Sequence, residues 1–145
     1  MIGQVFWTVL SGVSVFVIGQ LIVKLAIEPI HEYRKLCGEI ADALIFYANV
    51  SVRYTNTGMP KELQEEAQRT YRRLAGQLYA RAHVIRLYPV WSLVGLVPRR
   101  KDLAKASSNL IGLSNNVFDL SVDASRAKSE YRDDIKKFLD LDTGE

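Results

Sequence analysis

From Ile2 to Val23 the chain carries no charged residue, and a run of that length has few places to go. At about 1.5 Å per helical residue it spans roughly 33 Å, close to the hydrocarbon thickness of a bilayer. Nearly its whole circumference is apolar, which does not suit a helix half-buried in a soluble protein. A cleaved signal peptide fits poorly, because no Lys or Arg precedes the run and the apolar part is too long. The expectation is a transmembrane helix over residues 1–23.

Flanking charge orients it. Lys24, Arg34 and Lys35 follow the run, whereas only the chain's amine precedes it, so the positive-inside rule puts the N-terminus outside and the remainder in the cytoplasm. The single cysteine, Cys37, agrees with a reducing compartment, since a disulfide framework needs more than one.

After Pro29, Ile30, Tyr33, Cys37, Ile40, Leu44 and Tyr47 recur at three- and four-residue steps and form one helical stripe. Pro29 either kinks the helix or marks a fresh start. The stretch TNTGMPKE, Thr55 to Glu62, reads as a turn with Pro60 opening a new helix. A second stripe then runs through Leu63, Ala67, Thr70 or Tyr71, Leu74, Leu78, Ala82 and Ile85. The arms Lys24–Val52 and Pro60–Arg86 are nearly equal in length, each roughly 40 Å. Packed antiparallel, they return the apolar segment LYPVWSLVGLVPRR, residues 87–100, to the membrane surface. There Tyr88 and Trp91 are expected at headgroup level, with Arg86, Arg99, Arg100 and Lys101 meeting lipid phosphates. The competing reading is a hydrophobic connector tucked beneath the bundle.

A third helix is expected from Lys101 or Asp102 with the stripe Leu103, Ala106, Leu110, Leu113, Val117 and Leu120. A fourth spans Asp123 to Phe138, with Ala127, Tyr131, Ile135 and Phe138 on one face, and the final DLDTGE frays. The chain therefore divides into a membrane helix at 1–23, an all-α cytosolic bundle at 24–122 and an acidic helix and tail at 123–145. Two or three cytosolic helices bury enough surface only if sister chains pack together, which predicts a homo-oligomer.

Within the apolar run, Gln4, Thr8, Ser11, Gly12 and Gly19 fall in one arc at about 100° per residue. Small and hydroxyl-bearing residues suit close helix contact or a water-filled centre. Net charge is only +3, but nine Lys or Arg lie between Arg69 and Lys105 against one acid, Asp102, while residues 106–145 carry more acids than bases. Anionic lipid, nucleic acid or the acidic tail could each meet that basic helix. No basic and aromatic arrangement matches a nucleic-acid module, so nucleic acid is the least favoured. The SSNLIGLSNN stretch, Ser107 to Asn116, suits a close, partly polar helix interface or a plain wet surface. Catalysis finds no motif: there is no phosphate loop, no HExxH and no clustered Cys and His, and His31 and His83 lack matched partners. Neither an enzyme nor a cofactor is expected.

The uncharged span running into LAIEPIHEYRKLCGEIADAL, then RAHVIRLYPVW and PRRKDLAKASSNLIGLSNNV, resembles a group of small bacterial single-pass membrane proteins, as far as about Val117. More loosely, the layout is similar to the membrane accessory proteins of type VI CRISPR systems. That resemblance implies ring-shaped pores in the bacterial inner membrane that strengthen phage defence. The leading expectation is thus a homo-oligomer that forms or gates a membrane opening, with the Gln4 arc at its centre. The alternative is a non-conducting scaffold that recruits a protein or nucleic-acid partner through its basic helix.

Overall fold

The computed structural model describes residues 2–53, 58–119 and 121–141. Within it the apolar run does not stop at its first charge. Helix α1 (Ile2–Ile22) passes through a π-helical turn (Val23–Ile27) straight into α2 (Glu28–Arg53), a continuous rod about 78 Å long at helical rise. Pro29 is the reason for the π-helical turn. Having no N–H, it cannot donate to the Leu25 carbonyl one turn back, and the ladder widens so that the Glu28 N–H reaches the Val23 carbonyl instead. Pro29 therefore neither ends nor restarts the helix.

Beyond the rod come α3 (Lys61–Val84), the short α4 (Tyr88–Leu93), α5 (Arg100–Asn116) and α6 (Val122–Leu139). Among the described residues every regular element is helical. Helix α3 packs on α2 and α5, α5 on α6, and α6 touches α2, so four long helices surround one core. The predicted stripes supply most of it: Tyr33, Ile40 and Leu44 from α2, Tyr71, Leu74 and Leu78 from α3, Leu103, Ala106 and Leu110 from α5, and Ile135 from α6, joined by Leu36 and Leu139, which the stripes do not include. Each fully buried aliphatic side chain is worth about 1.5–3 kcal/mol.

The tail helix is part of this bundle rather than an appendage. Ser121 caps it by accepting the Ala124 N–H at 3.1 Å. The SSNLIGLSNN stretch proves to be the close polar seam. Tyr131 of α6 lies over Gly112, where a Cβ would stand 2.9 Å from its ring. Asn109 donates to Asp134 at 3.3 Å and Ser107 to the Ala75 carbonyl at 3.2 Å. Ser114 is fully buried, donates to the Ile111 carbonyl at 2.7 Å and receives Arg72 at 3.3 Å. The turn expected at 55–57, Leu120 of the third stripe and the frayed end at 142–145 lie outside the described residues.

Candidate membrane interface

Large apolar side chains are exposed singly or in pairs elsewhere, such as Ile45, Phe46 and Val122, but among the described residues two more extended apolar surfaces stand out, and both belong to the same end of the bundle. The first is α1. It is long and apolar enough to cross a membrane, and from Gly3 to Ile22 every side-chain position is exposed. Gln4, Thr8, Ser11, Gly12 and Gly19 are all among them, and a Cβ at Gly12 or Gly19 would meet nothing within 4 Å. The hydroxyls are not left wanting. Thr8 donates to the Gln4 carbonyl at 2.9 Å, Ser11 to the Thr8 carbonyl at 2.9 Å and Ser14 to the Leu10 carbonyl at 2.8 Å. Satisfied within their own helix, they need neither water nor a neighbour to sit in hydrocarbon.

The second surface is the segment joining α3 to α5. Arg81 grips Glu32, both its carboxylate and its backbone carbonyl, and this contact sets the register of the antiparallel α2–α3 pair. Counting on from it, Val84 to Leu87 fall beside about Pro29 to Ala26. Ala26 is the one buried residue of the π-helical turn, so the floor of the bundle lies within a helical turn of Lys24. Helix α4 and the residues after it therefore lie at the end of the bundle nearer α1, beside Tyr33, Arg34 and Cys37. On it and beside it, Leu87 (68% exposed), Val90, Leu93 (88% exposed) and Val94 stand free of the core. Arg86, Arg99, Arg100 and Lys101 are exposed around them.

The aromatic residues expected in the headgroups behave otherwise. Tyr88 is only 2% exposed; its ring closes the bottom of the core, its hydroxyl donates to the Pro98 carbonyl at 2.7 Å, and Arg100 lies over its ring at 5.0 Å. Burial raises the phenol above its ordinary value, so it remains a neutral donor. Tyr88 cannot serve as a lipid anchor, because a ring on the inner side of a six-residue helix is claimed by the core. Trp91 is half-buried against that core, and its indole N–H donates to the Arg86 carbonyl at 3.0 Å. That bond clasps a turn in which Leu87 adopts a left-handed conformation, φ 56° and ψ 31°. For a residue with a Cβ this costs on the order of 1–2 kcal/mol. The outward positions are those that the aromatic signal obscured: Leu87, Val90, Leu93 and Val94.

The basic row on α3 is partly spent inside the molecule. Arg69 pairs with Glu65 at 3.8 Å, Arg72 reaches Ser114 and, at 3.2 Å, Asn115, and Arg81 holds Glu32. The cations at the foot, Arg86, Arg99 and Lys101, stand beside the apolar patch instead. Fold and surface define a class: an all-helical bundle carrying one helix of membrane-spanning length and a basic, apolar foot beside it. No protein-family model, no curated protein and no solved structure matches the chain.

Proposed function

We propose that the protein is a single-pass membrane scaffold: α1 crosses the bilayer, and the cytoplasmic four-helix bundle rests on the inner leaflet through residues 87–100. The observation that carries this reading is that the two uncovered apolar surfaces, α1 and the Leu87–Val94 patch, meet at one end of the bundle with cations around the patch. In water that arrangement would be an aggregation hazard. At a bilayer the apolar side chains enter the acyl boundary while Arg86, Arg99 and Lys101 meet anionic headgroups. The continuous rod makes the bundle a rigid extension of the span, suited to holding a protein partner or sister chains at a fixed height above the lipid.

A second reading, the homo-oligomeric opening, is favoured by the arc of Gln4, Thr8, Ser11, Gly12 and Gly19, the polar and small strip on α1. Its internally satisfied hydroxyls are why we place it second. Full-length protein reconstituted into dye-loaded anionic liposomes separates the two. The scaffold keeps the dye inside. Release that disappears on replacing Gln4 and Ser11 with Leu would reverse the order.

A further inference from the structure

The end of the bundle far from α1 holds a cavity that neither reading uses. It lies where α2, α3, α5 and α6 converge, has a volume of about 140 Å³, and is partly open to solvent. Tyr47, Tyr71, Leu113, Ser125, Lys128 and Arg132 contribute to its wall, and no described residue lining it carries a carboxylate. Lys128 and Arg132 stand one turn apart on α6, a spacing at which like charges repel. A sequence that tolerates this on a wall facing the core needs a reason.

The donors gathered there are short of acceptors. Tyr71 is 3% exposed and its hydroxyl lies beside the Arg132 guanidinium; neither that hydroxyl nor the buried Arg132 Nε has a well-formed hydrogen bond to any acceptor. Lys128 has one bond, to the Asp119 carbonyl at 2.6 Å. The Asp119 carboxylate itself accepts the Ser121 N–H at 2.9 Å, which holds it below the usual carboxylate range. Burial raises Tyr71 to about 12 against the opposing pull of the Arg132 guanidinium beside it, so its phenol keeps its proton and stays a donor. Burial also lowers Lys128, with Arg132 adding to the effect and Asp119 opposing it. Orphaned buried donors of this kind are rare in folded proteins unless water or a ligand completes them.

The missing partner must accept hydrogen bonds, carry negative charge and be small. Two cations match a dianion better than a single carboxylate, and charge-assisted bonds from Arg and Lys to phosphate are among the stronger ones available. The volume resembles the roughly 150 Å³ cavity that admits one benzene ring, enough for a single phosphate group whose ester remainder would trail through the open side. We infer that this cavity binds a phosphate group, free or as the monoester of a small molecule, through Arg132, Lys128 and the Tyr71 hydroxyl. The inference is independent of α1 lying in lipid, so either can fail without the other.

Full-length protein in detergent micelles provides the test, with inorganic phosphate, adenosine monophosphate and, at matched ionic strength, potassium chloride as titrants. Thermal unfolding and phosphorus NMR line widths are read together. The expected result is a saturable rise in Tm and saturable line broadening with phosphate or the monoester but not with chloride. The tighter of the two identifies the source. Arg132→Gln and Lys128→Gln should each weaken binding about tenfold or more, and Tyr71→Phe, which keeps the ring, should weaken it less. If Arg132→Gln fails to fold cooperatively, Lys128→Gln and Tyr71→Phe carry the comparison. No saturable response to either phosphate compound, a chloride response of equal size, or binding unchanged in Lys128→Gln and Tyr71→Phe overturns the site.

Discussion

The two halves of the long rod share one unbroken helix, yet they obey opposite rules. In α1 no described side chain is buried; in α2 a stripe from Tyr33 to Tyr47 is buried while Glu39 and Asp42 face water. Backbone geometry does not distinguish them. What does is the pattern of side chains: apolar all round before Lys24, apolar on one face after Pro29. One secondary structure thus carries two side-chain patterns, and the change falls between Lys24, the first charge, and Pro29, whose missing N–H opens the π-helical turn.

Moving a charge across that boundary breaks the comparison most severely. Val13→Arg puts a cation at the middle of α1, where it costs about 2.5–3.5 kcal/mol of insertion. The variant should leave the membrane fraction and keep the cooperative unfolding of its bundle. Ile40→Arg, at a position with no exposure, should do the reverse: it stays membrane-bound, and its bundle loses its thermal transition. Fractionation and circular dichroism of both variants check the pair.

Truncation sharpens the same contrast. Ile40→Ala should cost about 2–5 kcal/mol of bundle stability, whereas Ile18→Ala, at an exposed site, should leave the bundle midpoint within about 0.5 kcal/mol. Chemical denaturation in micelles measures both.

High pH acts on the bundle alone. Tyr71 is raised from its ordinary value of 10.0 to about 12, so between those values the unfolded chain loses a proton that the folded one keeps. Stability is therefore full below about pH 10 and declines toward pH 12, by roughly 2 kcal/mol from this residue. Burial raises Tyr33 as well and extends the loss in the same direction. Tyr71→Phe should flatten the fall in Tm above pH 10 without removing it.

The glycines give the smallest effect. Gly112 meets Tyr131, and Gly12 meets nothing. Gly112→Val should cost about 1–3 kcal/mol by overpacking the α5–α6 seam. Gly12→Val should leave the bundle's thermal midpoint unchanged and shift only the self-association of α1 seen in detergent sedimentation.

Much of the fold was legible because helical period and burial are two aspects of one geometry. The stripes read from Tyr33, Leu74, Leu103 and Ile135 are the stripes that pack. The equal arms put α4 at the α1 end of the bundle because rise per residue is fixed. Three features were hidden for physical reasons. Tyr88 and Trp91 carry the composition of an interfacial belt, yet on so short a helix the core takes the aromatic side and leaves Leu93 and Val94 outward. The π-helical turn was hidden because a proline inside a helical pattern can kink, restart or widen the ladder, and the helical period alone does not choose among these. The cavity at Lys128 and Arg132 was concealed by treating the tail as an acidic surface. Two like charges four residues apart beside the apolar stripe were its only sequence signal, and pairing them with Tyr71 needed the tertiary fold.

The height of the foot above the lipid is the quantity on which the account rests. Spin labels introduced by Val13→Cys, Leu93→Cys and Ile111→Cys, each with Cys37→Ala, report collision with oxygen, which concentrates in lipid, or with a water-soluble nickel chelate. Ile111 is exposed on α5, well up the bundle. In reconstituted bilayers the Val13 and Leu93 labels should favour oxygen and the Ile111 label the chelate. A Leu93 label as open to the chelate as Ile111, with Val13 still in lipid, would contradict a bundle resting on the membrane.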